Sequence, residues 1–295
     1  MKKNKKKNNE RNVYKIIIVG TGGTGGAVAS LTARYLYSKM GNEENVYNMV
    51  LVDGDTVDEK NINRQPFSSD DVGSFKVDCL SEAYREVYGI NVNAVPVYID
   101  DVEEFQNIFN YQDTKPSSYY STKYHTILIG AVDNHRARQT MHEFFSNIRL
   151  KENTDLLYID SANEFDFGTI VAGYKDSDNN IICPDRAFFF PDVLTSKEKK
   201  ASELSCGEIN ISAPQHYATN QQAACIVFSQ LCSFIEYGKY STGVTYFHSF
   251  NLCVNHRSLD DYLADTYKAY DVDNYVDLCK KLKNKEEGEV NKYGR

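Results

Sequence analysis

Four short apolar runs alternate with four longer amphipathic segments across the first half of the chain. The runs cover residues 13–20, 46–53, 92–98 and 125–132, each of strand length. The segments between and after them, 22–40, 71–88, 102–110 and 134–148, have helical length and spacing. Continuous apolar strands, rather than alternating ones, belong to sheets covered on both faces, and strand–helix alternation predicts parallel pairing. The reading is an α/β chain with a Rossmann-like doubly wound sheet. Right-handed crossovers then bring the carboxyl ends of the strands to one rim. "GTGGTGG", "DGD" and "AVDN" all fall on that rim.

The second half has another rhythm. "LLYIDSANEFDFGTIVAGY" holds two strand-like runs close together, so the sheet is expected to continue with mixed or antiparallel strands. Residues 182–206 read as irregular and polar. A long helix is expected over 214–237, then one strand over 244–255. No repeat and no Pro/Gly/Ser-rich linker divides the chain. The expected layout is a basic disordered leader (1–12), one domain (13–257), and a C-terminal helical extension with a charged tail (258–295).

Charge sharpens this picture. "MKKNKKKNNER" carries a net +5, which leaves −13 of the overall −8 for the rest. An acidic body without a basic stripe argues against nucleic-acid binding, and the leader reads as a solvated tail. No run approaches a membrane span, and no apolar segment behind the leader resembles a signal peptide. The seven cysteines form no CxxC pair, and an odd count without a secretion signal suits a reducing cytoplasm.

In "KIIIVGTGGTGGAVA", Gly20, Gly22 and Gly25 satisfy G-x-G-x-x-G directly after a strand. Such a turn exposes backbone to phosphate oxygens at a helix N-terminus. Asp53, ending the second strand, is placed to accept ribose hydroxyls. No Lys-Ser/Thr pair follows the glycines, which disfavours a P-loop enzyme. To this point an NAD(P)-dependent oxidoreductase fits as well as anything.

The stretch "VDGDTVDEKNINRQPFSSDDVGSFKVD" separates the readings. Gly20-Thr-Gly22-Gly23-Thr-Gly25 is followed by Asp53-Gly-Asp55-Thr-Val57 and then by Asn61, Arg64 and Gln65. Gly73 and Lys76 come next, then Asp133-Asn134 with Arg138. This order and spacing resemble the adenylate-forming superfamily of ThiF, MoeB and HesA, to which the ubiquitin-activating enzymes belong. The compact length and the "SCGE…APQHYATNQQAA" region resemble the short ThiF-family proteins of bacterial plasmid systems. The resemblance implies ATP and Mg²⁺ as cofactors. The substrate implied is the C-terminal carboxylate of a ubiquitin-like protein or peptide, activated with release of pyrophosphate. It implies ribose binding by Asp53, phosphate contacts from Asn61, Arg64 and Lys76, and magnesium at Asp133. Gly20, Gly22, Gly23, Gly25, Asp55 and Gln65 complete the nucleotide-binding set. The chemistry agrees: attack at an α-phosphate puts charge on the pyrophosphate, which an Arg fork and a Lys point charge stabilise. Singly, Lys76 and Arg64 read equally well as surface charges, and Asp133-Asn134 as a helix cap. A catalytically silent scaffold or partner subunit is the remaining alternative.

Relatives with structural zinc carry two CxxC pairs and this chain none, so structural zinc is disfavoured. Cys183, Cys206 and His216 would make an unusual ligand set. Cys206, in a polar stretch ahead of a helix, is the candidate for a thioester; the competing reading is a remnant of the family's metal-ligand position. Cys225 and Cys232 read as helical core residues. Relatives also carry an "R-Y-x-R-Q" arm that completes a partner's site; only Arg11 precedes the first strand here, leaving the source of any trans-acting arginine open. A homodimer is expected, because relatives pair with a copy or pseudo-copy and this chain has no internal repeat.

Overall fold

The computed structural model describes residues 10–41, 45–62, 65–110, 121–198 and 215–271. Nine strands form one sheet in the order β3-β2-β1-β4-β5-β6-β8-β9, with β7 beside β6. The first half follows the expected alternation: β1 (Glu10–Val19), α1 (Gly23–Ser38), β2 (Asn45–Val52), α2 (Lys76–Tyr88), β3 (Val92–Val95), α3 (Val102–Asn110), β4 (Ser121–Gly130) and α4 (His135–Asn147). β1, β2, β3, β4 and β5 (Thr154–Asn163) pair in parallel. From β6 (Phe167–Lys175) onward every pairing is antiparallel.

Both faces of the parallel strands are apolar, and each face has its own helical cover. Ile16, Ile18, Met49, Leu51, Ile127 and Ile129 pack beneath α1, α2 and the long α7 (Tyr217–Tyr237). The alternate residues Ile17, Val19, Val50, Val52 and Leu128 pack beneath α3 and α4, against Phe105, Met141 and Phe144. Each fully buried side chain of this size contributes about 1.5–3 kcal/mol, and period-two alternation divides that contribution between two layers.

The structure corrects the expected boundaries in several places. β1 begins at Glu10 rather than at residue 13. α2 begins at Lys76 and not at 71, because the preceding backbone is stitched to the loop after β2. Val57 N–H donates to Ser74 O at 2.8 Å and Lys76 N–H to Asp55 O at 3.0 Å. β3 stops at Val95, before Pro96, which has no N–H to extend a ladder. Residues 181–195 are not irregular throughout: β7 (Ile181–Cys183), α5 (Arg186–Phe189) and α6 (Asp192–Thr195) lie there. The strand expected over 244–255 is a hairpin, β8 (Gly243–His248) and β9 (Cys253–Arg257), and α8 (Leu259–Tyr270) follows. Phe250 and Leu252, apolar enough to read as strand, occupy the exposed turn, where Leu252 has a φ of 52°. Cys225 is exposed, against the core expectation, because it faces away from the stripe of Ala224, Val227 and Leu231; Cys232 packs partly against that core. No helix among the described residues is long and apolar enough to cross a membrane.

Candidate active site

The chain passes from β1, the middle one of the five parallel strands, out to β3, then crosses back to β4 on β1's other side. The crevice therefore opens between the carboxyl ends of β1 and β4, at the topological switch point. The glycine turn fills it. Gly20 has a φ of 84°, and a Cβ there would lie 2.6 Å from Ala131 O; a Cβ on Gly25 would lie 1.8 Å from Gly20 O. Only glycine allows both approaches. The N-cap of α1 is Gly22, which makes no side-chain cap hydrogen bond to the first-turn N–H groups of this helix.

Asp53 ties the turn to the next loop. Its Oδ2 accepts from Thr21 N–H at 2.6 Å and from the Thr21 hydroxyl at 2.9 Å, and its Oδ1 accepts from Asp55 N–H at 2.9 Å. Asp53 thus builds the turn, and its Oδ1 keeps lone-pair capacity for a further donor. Burial raises the Asp53 carboxyl, with the Lys76 ammonium pulling the other way.

Asp55 is the centre of the charged cluster. Lys76 Nζ donates to its Oδ2 at 2.7 Å, and the Tyr98 hydroxyl donates to its Oδ1 at 2.6 Å. Burial works to raise this carboxyl, yet the Lys76 ammonium and the hydrogen bonds from Lys76 and Tyr98 outweigh it and hold it below the usual carboxylate range. Burial and the bond to Asp55 in turn push the Tyr98 phenol upward. Lys76 is only 5% exposed. It is not the surface lysine that its isolated position on a helix would suggest.

The other predicted residues divide. Asn61 is buried, and its Oδ1 accepts from Asp58 N–H at 2.9 Å, closing a capping box over residues 58–61. Gln65 lies against the glycine turn, its Nε2 3.8 Å from where a Gly22 Cβ would be; its Oε1 is buried without a hydrogen bond among the described residues. Asp133 is exposed just past β4. Asn134 caps α4 by accepting from Ala137 N–H at 2.8 Å. Arg138 of the same motif is buried and donates to Val132 O and Ser161 O, joining the β4 and β5 ends. Arg64 and Cys206 lie outside the described residues.

Cys183, at the end of β7, is fully buried and donates to Ala172 O; burial pushes its thiol up to about 11. His216 caps α7, its Nδ1 accepting from Ala218 N–H at 3.1 Å. Neither is presented as a metal ligand, and no group of three or more His, Cys, Asp or Glu among the described residues is arranged to hold a metal ion. Sequence reasoning missed Thr21 and Tyr98. Thr21 sits inside the glycine motif and could have been noticed there; Tyr98 follows an edge strand with no local sign of its contact.

Fold and site together define an open, Rossmann-like α/β protein with a charged cluster at the switch-point rim. The ThiF family matches residues 5–156, just over half of the chain, and the chain belongs to that family. No curated protein matches it. Among solved structures it resembles PaaA, at 18% identity and a TM-score of 0.54, over 83% of this chain and 64% of PaaA. It also resembles Escherichia coli MccB crystallised with ATP, at 17% identity and a TM-score of 0.52, over 83% of this chain and 63% of MccB. MccB with AMPCPP and MccA matches at 16% identity and a TM-score of 0.52, over the same shares. The chain spans less than two thirds of the length of these neighbours.

Proposed function

We propose that this protein is an ATP-dependent adenylyltransferase that activates the C-terminal carboxylate of a ubiquitin-like protein or peptide. The observation that carries the reading is the buried Lys76 ammonium, held by Asp55 beside the glycine turn. A nicotinamide enzyme has little need for the set of Asn61, Arg64 and Lys76 just past the ribose carboxylate; a triphosphate does, because charge develops on its leaving pyrophosphate. The substrate carboxylate oxygen attacks the α-phosphorus, the bond from that phosphorus to the bridging oxygen breaks, and pyrophosphate leaves with the electron pair. Lys76 stabilises the charge that develops on the leaving group, and its pairing with Asp55 fixes it in advance. Arg64 is assigned the same task as a bidentate donor. First-turn N–H groups of α1 and the Asp53 carboxylate hold the phosphates and ribose.

Asp133 suits magnesium, which takes one or two protein carboxylates along with phosphate oxygens. When bound, that ion would neutralise charge on the departing pyrophosphate. Solved MccB with ATP, and with AMPCPP and MccA, supports a nucleotide and a peptide partner on this fold. The working unit is proposed to be a homodimer in the cytoplasm, where the free thiols of Cys79, Cys225 and Cys253 stay reduced.

The test is ATP–pyrophosphate exchange with a panel of ubiquitin-like proteins and peptides bearing free C-termini. Exchange stimulated by one of them, and lost in Arg64→Ala without loss of fold, is the expected result. Tight NAD binding with no ATP binding, measured by calorimetry, overturns the reading.

A further inference from the structure

Three elements distant in sequence meet at the first turn of α1, beneath the glycine turn. The Thr24 hydroxyl donates to Asn220 Oδ1 at 3.1 Å and accepts from Asn163 Nδ2 at 2.7 Å. Asn163 Nδ2 also lies 3.4 Å from Asn220 Oδ1, and the Ser161 hydroxyl donates to Asn163 Oδ1 at 3.0 Å. Thr24 and Asn220 are buried, 6% and 3% exposed. Asn163 ends β5 and Asn220 lies in the first turn of α7.

The amide of Asn220 also bears on the backbone. A Cβ on Gly23 would lie 2.2 Å from Asn220 Nδ2 and 3.0 Å from its Cγ, but 3.6 Å from its Cβ. A Cβ on Gly23 would therefore displace the hydrogen-bonded Asn220 amide, whereas at Gly20 and Gly25 it would meet the backbone around the turn. With its hydroxyl hydrogen donated and a lone pair occupied, Thr24 has little freedom to rotate. The first turn of α1 is thus held by hydrogen bonds to side chains from β5 and α7.

We propose that Asn220 is a positioning residue for the nucleotide: it acts through Thr24 and Gly23 to preorganise the α1 N-terminus, and touches no ligand itself. This inference rests on the adenylyltransferase reading for the identity of the ligand. Preorganised donors bind without the entropic loss of ordering them on contact. Losing two hydrogen bonds to a neutral amide should raise the ATP dissociation constant about tenfold.

The experiment is calorimetric ATP titration of the full chain, with thermal melting alongside, for the native protein, Asn220→Ala, Thr24→Val and the double variant. Thr24→Val keeps shape and removes only the hydroxyl, so it serves if Asn220→Ala folds poorly. Each single variant should weaken ATP binding about tenfold, and the double should be no weaker than either, because both cut one network. Gly23→Ala should bind ATP poorly, and adding Asn220→Ala should restore affinity to that of Asn220→Ala alone. Lowered melting temperatures with unchanged ATP affinity in both single variants would reduce Asn220 to a structural residue and overturn the inference. A native protein that binds ATP, with Asn220→Ala equal to it, overturns this inference alone. A native protein that does not bind ATP overturns the functional reading and takes this inference with it.

Discussion

Methionine in place of Lys76 keeps most of the side chain's length and deletes the ammonium group that sits 2.7 Å from Asp55 Oδ2. The side chains of the pair are unequally exposed, 6% for Lys76 and 33% for Asp55. At that separation and an effective dielectric constant of about 20, the bare attraction is roughly 6 kcal/mol. Desolvation of the lysine and screening of the aspartate remove most of it, leaving a coupling of about 1–2 kcal/mol. The single variants should be asymmetric. Lys76→Met leaves Asp55 with the Tyr98 hydroxyl and access to water, a loss of about 1 kcal/mol. Asp55→Asn strands a buried ammonium and should lose about 3 kcal/mol. The double variant should therefore be more stable than the sum of the singles predicts, by about 1–2 kcal/mol. Urea unfolding of the four proteins at neutral pH measures this directly. Additivity to within about 0.5 kcal/mol would refute the claim that the pair is coupled. Pyrophosphate exchange supplies the other half of the test, since Lys76→Met should lower it by about 10²–10³-fold. Near-native exchange in that variant would refute the phosphate role. The pH dependence has a definite sign. The folded Asp55 carboxyl lies below its ordinary value, so its stabilisation is complete above about pH 4 and is lost as pH falls through the folded value. The stability gap between native protein and Asp55→Asn should close on acidification.

The remaining predictions concern the thiol, a histidine and the assembly. Cys206→Ala should keep pyrophosphate exchange and abolish any reductant-sensitive conjugate with the carboxylate partner; a conjugate that persists there and vanishes in Cys183→Ala would move the thioester to Cys183. The hydrogen bond from His142 to Asp185, at 2.8 Å, raises the His142 pKa despite partial burial. Its stabilisation is present below about pH 6.5 and lost as pH rises through the raised folded value, so His142→Gln should be destabilised at pH 5 and match the native protein near pH 9 in thermal melts. Equal gaps at both pH values would refute the pairing. Sedimentation at micromolar concentration should give a dimer, and a clean 33.6 kDa monomer would count against the proposed homodimer.

The parallel half of the sheet could be read from the chain itself. Ile16 to Val19 are all apolar, and a strand buried on both faces leaves that continuous signature, because each face receives every second residue. Glycines directly after such a strand, with an aspartate ending the next, mark the switch-point rim by local spacing alone. The family pattern then named Asn61, Arg64, Lys76 and Asp133. What spacing could not carry was the use made of each group. Asp53 reads as a ribose carboxylate, and only folding places Thr21, 32 residues away in sequence, on its Oδ2. Lys76 reads as either a surface charge or a phosphate ligand; its burial against Asp55 and Tyr98 depends on the loop after β2 being stitched to the start of α2. The hairpin at 249–252 was hidden because Phe250 and Leu252 are as apolar as strand residues, and exposure is not written in side-chain type. Asn220 is the extreme case, 196 residues from the Thr24 hydroxyl it accepts from. Periodicity is a local property, set by side chains meeting one surface within a single element, so the sequence determines it alone. Which donor meets which acceptor across the core depends on how all the elements close together, and only the tertiary structure decides it.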